Sequence, residues 1–495
     1  MIQIAVTANT VRRASSSFFS ERTDSTAGGT GDCQGMNKTK IVIAGGGFAG
    51  LAAATYLDKR LARRADTEVV LISRENFILF TPMLHEVAAG DLYPSDIINP
   101  LRRILRHVKI VQADVKAIDP SERRVRCSGG VAQLEFQLEF DHLLLALGSE
   151  TNFLDLPGLS DWAVTMKSLS DAALLRNRVI ALLEEATLQT NAATRRQLLT
   201  IVIAGGGFSG VETAGAMNDF VRETASYYPD LSGELARVVV VQSGNLLLPE
   251  LGEELGRYTE RKLLERKVEV VKGTRVVSYD GSFVRLSDGQ VIPASTLIWT
   301  AGVKPSPVLA PLPCQKMGGR LLVNQFLRVP GAFGLWAAGD CAAVPDGDGG
   351  AFHPPTAQHG LRQGLVAAKN IEAEILGRPP TPFIFKNLGQ LATIGHRTGV
   401  AMVFGIKFSG FIAWLLWRMV YLLKLPRLAK KLRVISGWAL DLLFSREIEQ
   451  IITLRDVEEL TSRMARIRAQ AVREISTHAR SAPDLQAHLT LLRGK

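Results

Sequence analysis

The chain has 495 residues, 46% hydrophobic and 21% charged, with a formal net charge of +10. That length and balance describe a globular chain of roughly two to four domains with ample core. Its four cysteines (Cys33, Cys127, Cys314, Cys341) are scattered without a C-x-x-C, and its eight histidines lack ligand spacing, which excludes a disulfide framework and leaves no metal assigned.

Residues 1–36 are Ser/Thr/Gly-rich and lack the apolar stretch of a secretory signal, so a disordered extension or a start at Met36 is expected. Arg12, Arg13 and the following serines resemble a transit peptide until Glu21 and Asp24 break the pattern. IVIAGGGFAGL (41–51) then predicts strand, tight turn and helix, followed by TEVVLIS (67–73) as a second strand. KIVQADVKAIDP, RRVRCSG and LEFQLEFDHLLLALGS read as further strands, closing on Ala146 to Gly148. IVIAGGGFSGV (201–211) repeats the first motif; ARVVVVQS (236–243) is its second strand, and LGEELGRYTERKLLERK a charged helix. TLIWTAGV (296–303) and LWAAGDCA (335–342) are strands again, the latter returning to the first domain. The predicted class is α/β, with two Rossmann-like domains, the first discontinuous around the second, and a C-terminal amphipathic helical region. The expected division is 37–166 and 323–400 for the first domain, 167–322 for the second, 401–455 for the amphipathic region and 456–495 for a charged helical tail.

Both motifs space their glycines as G-x-G-x-x-G: Gly45, Gly47, Gly50 and Gly205, Gly207, Gly210. The first glycine makes the turn, the second admits a pyrophosphate to the backbone, and the third lets helix and sheet pack closely. The helix N-terminus offers unpaired N–H groups to phosphate. A repeat kept for packing alone would need one small residue per turn and leave the other glycines costly. Two copies, each between strand and helix, therefore predict two bound dinucleotides.

The two fingerprints, with ALG, WTAG and AAGD in that order, resemble the two-dinucleotide-binding-domain flavoproteins of the pyridine nucleotide-disulfide oxidoreductase superfamily. The resemblance runs from residue 37 to about 455. It implies FAD in the first domain and NAD(P)H in the second, with Asp340 bonding the ribityl chain; a helix N-cap, worth about 1 kcal/mol, is the alternative role for that aspartate. No cysteine occurs where a disulfide reductase needs its pair, so electrons must leave the flavin directly. PPTAQHGLRQG (354–364) resembles the AQ-x3-QQ element of type II NADH:quinone oxidoreductases. Ala357, Gln358 and Gln363 match it, while Arg362 replaces the first glutamine of the pair. The resemblance implies Glu212, Gln358 and Gln363 as catalytic. It implies Gly45, Gly47, Phe48, Ala49, Gly50, Ser73, Thr81, Pro82, Ala146, Gly148, Gly339, Asp340, Ala357 and Gln358 around FAD and quinone. Gly205, Gly207, Gly210, Glu212, Gln242 and Gly302 fall to the nicotinamide nucleotide. His85 and His359 could donate protons to quinol, but a lone histidine is more often structural, and neither is assigned.

Residues 410–438 are too interrupted by Arg418 and Lys424 to cross a membrane and read as an interfacial helix pair. Trp414, Trp417 and Tyr421 are the expected interfacial anchors, with Leu415, Leu416, Leu422 and Leu423 as the apolar face. Between 405 and 440 stand seven Lys/Arg and no Asp or Glu, which suits anionic lipid. Continuous apolar runs argue against nucleic acid, and a homodimer remains the alternative cover for the face. The implied protein is a peripheral enzyme on the cytoplasmic face, passing electrons from NADH through FAD to a membrane quinone without pumping protons. The alternatives are a sulfide:quinone oxidoreductase-like enzyme, which needs cysteines beside the flavin, and a nucleotide-binding redox sensor or scaffold. Finally, Gln242 ends the second strand of the NAD(P)H unit where a carboxylate would repel a 2′-phosphate, so NADPH is expected to be accepted beside NADH.

Overall fold

The structure, a computed structural model, describes residues 38–231, 236–347, 350–440, 448–450, 463–470 and 472. The expectations for 1–36 and for most of the 456–495 tail lie outside the described residues.

Strand β1 (Thr39–Ala44) leads into helix α1 (Phe48–Arg60), and β2 (Thr67–Ser73) follows. After the short turn Thr81–Met83 comes α2 (Leu84–Ala88). The chain continues through β3 (Lys109–Asp119), β4 (Arg124–Gly129), β5 (Leu134–Glu139) and β6 (His142–Leu145). Next are β7 (Val164–Thr165), α3 (Leu169–Leu188), β8 (Thr200–Ala204) and α4 (Phe208–Ala225). Then follow β9 (Arg237–Gln242), α5 (Gly252–Glu265), β10 (Val268–Lys272) and β11 (Thr296–Trp299). The remainder is β12 (Leu335–Ala337), α6 (Ala357–Ile375), β13 (Gly389–Thr393), β14 (Gly399–Val403), β15 (Ile406–Gly410), α7 (Phe411–Lys424) and α8 (Leu428–Leu440).

The first sheet has the order β12-β6-β1-β2-β3-β4-β5. Its first five strands are parallel and β4 and β5 form an antiparallel extension. The chain leaves this sheet after β6 and re-enters at β12. In between it builds a second, wholly parallel sheet, β7-β11-β8-β9-β10. Parallel strands covered on both faces need unbroken apolar runs: Ile41 to Ala44 and Ile201 to Ala204 are all buried. Helix α6 crosses α1 at glycine, since a Cβ on Gly364 would lie 2.0 Å from the Ala49 carbonyl oxygen.

The last layer is the antiparallel sheet β13-β14-β15, with α7 packed against it. No helix among the described residues is long and apolar enough to cross a membrane. The sequence reading of α7 needs a correction. Trp414 and Trp417 are buried at 6% and 0% exposure and point into the protein, while Leu416, Tyr421 and Leu422 pack against its core. The outward apolar residues are Phe411, Ile412, Leu415, Met419 and Leu423, joined by Leu428, Leu432 and Ile435 of α8. Helical periodicity locates the two faces; it does not say which faces inward when both are apolar.

Candidate functional site

The two glycine turns are superposable in their constraints. Gly45 and Gly205 have φ of +112° and +114°, open only to glycine at little cost. A Cβ on Gly45 would lie 2.2 Å from the Ala146 carbonyl oxygen, and one on Gly205 2.7 Å from Thr300 Oγ1. ALG and WTAG are thus the same wall in the two copies. The third glycines would place a Cβ 1.7 Å (Gly50) and 1.9 Å (Gly210) from the carbonyl oxygen of their own first glycine. The middle ones, Gly47 and Gly207, have nothing within 4 Å of such a Cβ. Both serve as helix N-caps without a side-chain cap, and neither α1 nor α4 has an acidic residue in its first turn. Uncapped N–H groups facing open space fit a dinucleotide pyrophosphate at each helix.

Around the first turn, Asp340 lies in the short turn Gly339–Cys341 and accepts a 2.6 Å hydrogen bond from Ser149 Oγ. Lys167 Nζ donates to the same Ser149 hydroxyl at 2.8 Å. Gly339 has a φ of +77°, and its N–H donates to Gln363 Oε1 at 2.8 Å. Ser73 is buried at the end of β2, its hydroxyl beside Gly46; Gly148 (φ +69°) closes β6. Thr81 is exposed and Pro82 half-buried in the turn before α2. Phe48 meets Phe80 edge-on at 6.1 Å, and Phe80 meets Tyr421 of α7 at 5.9 Å. Around the second turn, Gly302 accepts a backbone bond from Asn152 N–H at 3.1 Å.

Glu212, in the second turn of α4, is buried. Its Oε1 accepts from Trp417 Nε1 at 2.9 Å and from the Thr393 N–H at 3.3 Å. Burial pushes its carboxyl up to about 8, against which those two bonds pull. His85 Nδ1 is 3.8 Å from Glu212 Oε2, and His85 Nε2 is 3.2 Å from Thr393 Oγ1. Burial lowers the imidazole to about 3, so the ring is neutral. Beside it, Arg418 lies between the rings of Trp414 (4.1 Å) and Trp438 (4.4 Å), and Trp438 Nε1 donates to Glu86 at 3.2 Å.

At the start of α6, next in sequence to Ala357, Gln358 Nε2 donates to the Gly389 carbonyl at 2.9 Å. Arg362 lies over the Phe385 ring at 4.7 Å, and His359 stacks on the same ring at 3.7 Å.

A pyridine nucleotide-disulphide oxidoreductase domain matches residues 39–364, and an NDH2 C-terminal domain matches residues 387–447. The type II NADH:quinone oxidoreductase Ndh of Mycobacterium tuberculosis is 30% identical, over 91% of this chain and 96% of its own. The chain belongs to the type II NADH:quinone oxidoreductase family. A probable NADH dehydrogenase of Dictyostelium discoideum is 29% identical over 83% of this chain and 91% of its own. NDH2 from Plasmodium falciparum, solved in complex with NADH, superposes with a TM-score of 0.77 at 20% identity, over 83% of this chain and 100% of that one, a likeness of fold.

Within this type II family scaffold three side chains differ from the roles expected of them. Gln363 is buried and its Oε1 holds the Gly339 loop. Gln242 bonds its own turn with both ends of its amide: Oε1 accepts from Gly206 N–H at 3.0 Å, and Nε2 donates to Leu246 O at 3.2 Å. One of its two amide protons is thus committed to the turn. Lys430, counted among the lipid-facing cations, is buried and donates to the Ser95 carbonyl. The sequence reading left His85 unassigned and missed Thr393, and it gave Trp417 to the membrane. No local spacing ties positions 85, 212, 393 and 417 together, because only the packing of α2, α4, β13 and α7 does so.

Proposed function

We propose that this chain oxidises NADH and reduces a membrane quinone, with FAD in the first glycine turn and the nicotinamide nucleotide in the second. The observation that carries the reading is the pair of uncapped helices whose middle glycines face open space, both reached by the inner face of α7: Phe48 through Phe80 and Tyr421, Glu212 through Trp417. Bound FAD supplies the redox chemistry, taking a hydride equivalent and giving two electrons to a quinone. The chain's residues position and protonate. Asp340 and the Gly45–Gly50 turn hold the flavin nucleotide, the Gly205–Gly210 turn holds NADH, and buried Glu212 keeps a proton at neutral pH. Gln358 is half-buried at the N-terminus of α6, where a quinone headgroup entering between α6 and α7 would meet it.

The two buried thiols among the described residues offer little for a sulfide reaction. Cys341 is buried with its Sγ directed at the Leu145 and Ala338 carbonyls and is pushed up to about 11, and burial pushes Cys127 up to about 12. The outward face of α7 and α8, with Lys424, Arg427, Lys431 and Arg433, is the proposed contact with anionic lipid at the cytoplasmic face. The division into 37–166 with 323–400, 167–322, 401–455 and 456–495 is kept as the domain proposal.

The test is spectroscopic. Purified protein should show a flavin spectrum, bleach with NADH without oxygen, and recover its colour on addition of a soluble quinone. A flavin that NADH reduces and quinone leaves reduced would remove the quinone from this reading.

A further inference from the structure

Oxidation of NADH by a quinone takes up one proton: the hydride carries one of the two hydrogens of the quinol, and solvent must supply the other. The inference rests on the proposed function, because only quinone reduction creates that demand. Glu212 is buried, so its carboxyl cannot refill from solvent directly.

A cleft of about 290 Å³, counted out to its solvent-facing side, lies behind it. His85 and Thr393 line its wall, with Glu86, Asp91, Asp219 and His396 around it and Arg418 and Trp414 on the α7 side. Asp219 is engaged elsewhere, in a 2.7 Å ion pair with Arg266 and a 2.6 Å bond from His396 N–H. Arg418 pairs with Glu86 at 4.0 Å. That leaves His85 and Thr393 as the two cleft residues that also touch Glu212. We propose that Thr393 and His85 form the proton relay that recharges Glu212 from this cleft.

The atoms are in sequence. Thr393 Oγ1 faces His85 Nε2 at 3.2 Å, and His85 Nδ1 faces Glu212 Oε2 at 3.8 Å. The Thr393 hydroxyl gives its proton to Nε2 and takes another from water in the cleft. The ring gives its Nδ1 proton to the Glu212 carboxylate, and a flip or a second exchange restores the starting tautomer. The last gap exceeds a direct hydrogen bond, so it closes by a small ring movement or through one water. With the imidazole lowered to about 3 by burial, the doubly protonated ring is present in about one molecule in 10⁴ at pH 7. The ring therefore passes protons without storing one. Glu86, the next residue of the same helix and also on the cleft, and the Glu212 carboxylate favour the transient cation; Arg418, on the α7 side of the cleft, opposes it, and His396 also lines the wall.

The experiment compares His85→Gln and Thr393→Val with the wild type. Glutamine cannot exchange one tautomer for another, and valine removes the hydroxyl while keeping the Thr393 N–H that bonds Glu212. Anaerobic reduction of the flavin by NADH, which needs no solvent proton, should stay within about twofold in both variants. Reoxidation by a soluble quinone should slow at least tenfold above pH 7, and added imidazole should restore it in His85→Ala. A second readout needs no turnover. The infrared carbonyl band of protonated Glu212, assigned by its loss in Glu212→Gln, should shift in D2O quickly in the wild type and slowly in both variants. Equal slowing of the two half-reactions, unchanged reoxidation, or unchanged infrared exchange would each overturn the relay. A wild type that quinone does not reoxidise would defeat the functional reading instead, and the infrared exchange would still decide the relay.

Discussion

The two glycine turns share almost the same eleven residues and the same backbone, yet the protein wires them differently. In the second copy the residue ending the neighbouring strand is Gln242, whose amide holds the Gly206 N–H. In the first copy it is Ser73, which makes no such bond among the described residues. In the helix that follows, Glu212 stands where the first copy has Ala52. On the proposed function, the first copy would be a passive cradle for a ligand that stays. The second is braced by its own side chain and would carry an acid beside the place where ligands exchange. Identical motifs specify the grip on phosphate; the residues just outside them decide what is done with the ligand.

The largest effects should come from the glycines. Gly50→Ala and Gly210→Ala each drive a Cβ into a carbonyl of their own turn, an overpacking that a tight turn cannot absorb. Gly50→Ala should yield protein without flavin. Gly210→Ala should keep its flavin colour and lose at least 100-fold in kcat/KM for NADH, about 2.7 kcal/mol. Gly47→Ala and Gly207→Ala, with open space around them, should leave the melting temperature within about 2 °C of wild type while weakening flavin retention and NADH binding respectively. Loss of flavin in the Gly210 or Gly207 variant would reverse the assignment of the two copies.

How far the sequence alone reached differs along the chain for a physical reason. Repeats, strand runs and glycine spacing are local, and β2 was placed on the same residues that form it. The return of the chain to the first sheet was also legible, because AAGD came with its companion motifs, although only Leu335–Ala337 of the expected 335–342 strand join that sheet. Glu212 was found through resemblance, but its environment was not. Its partners come from residues 85, 393 and 417, whose convergence depends on a helix, α7, with apolar residues on both faces. Trp417 looked like an interfacial anchor because tryptophan suits both a membrane boundary and a core whose indole N–H has an acceptor.

Glu212 separates the copies energetically as well. Its carboxyl titrates near the ordinary 4.5 when unfolded and at about 8 when folded. Its contribution to stability is fully present below pH 4.5 and is lost as pH rises through about 8, because only the unfolded chain can ionise it freely. Glu212→Gln keeps an oxygen for Trp417 and Thr393 and removes that loss. The variant should gain up to roughly 5 kcal/mol over wild type at pH 8.5 and almost nothing at pH 4.5. Denaturant midpoints at the two pH values check this; an equal gain at both would mean that the carboxyl is not buried.

Helix α7 reaches both copies with its inner face, so its two faces should separate in mutation. Leu415→Ser with Met419→Ser and Leu423→Ser should release the protein from anionic vesicles and leave the Glu212 environment unchanged. Neutralising Lys424, Arg427, Lys431 and Arg433 with glutamine should weaken vesicle binding by about 1 kcal/mol per charge, and less at high salt. Trp417→Phe should do the reverse: vesicle binding is kept, and the Glu212 carboxyl, having lost a donor to its charged form, titrates higher still. If Trp417→Phe releases the protein from vesicles, the inner and outer faces of α7 are not independent.

The smallest expected effect tests the brace that distinguishes the second copy. Both ends of the Gln242 amide are bonded inside the turn. As a neutral amide Gln242 does not repel a 2′-phosphate, and the sequence holds no arginine immediately after it to clamp one. NADPH should be turned over measurably and less well than NADH, since nothing rewards its 2′-phosphate. Gln242→Glu keeps an oxygen for the Gly206 N–H and loses the donor to Leu246 O, which costs about 1 kcal/mol of stability. With the nucleotide bound as proposed, the new carboxylate would lie beside the adenosine ribose, accept from a 2′-hydroxyl and repel a 2′-phosphate. The kcat/KM for NADPH should fall at least tenfold, about 1.4 kcal/mol, while that for NADH stays within about threefold. Gln242→Leu, which removes the brace without adding charge, should instead weaken both nucleotides together. If the two substitutions change the NADPH/NADH ratio equally, Gln242 acts through the shape of the turn alone, and charge at this position plays no part in choosing the nucleotide.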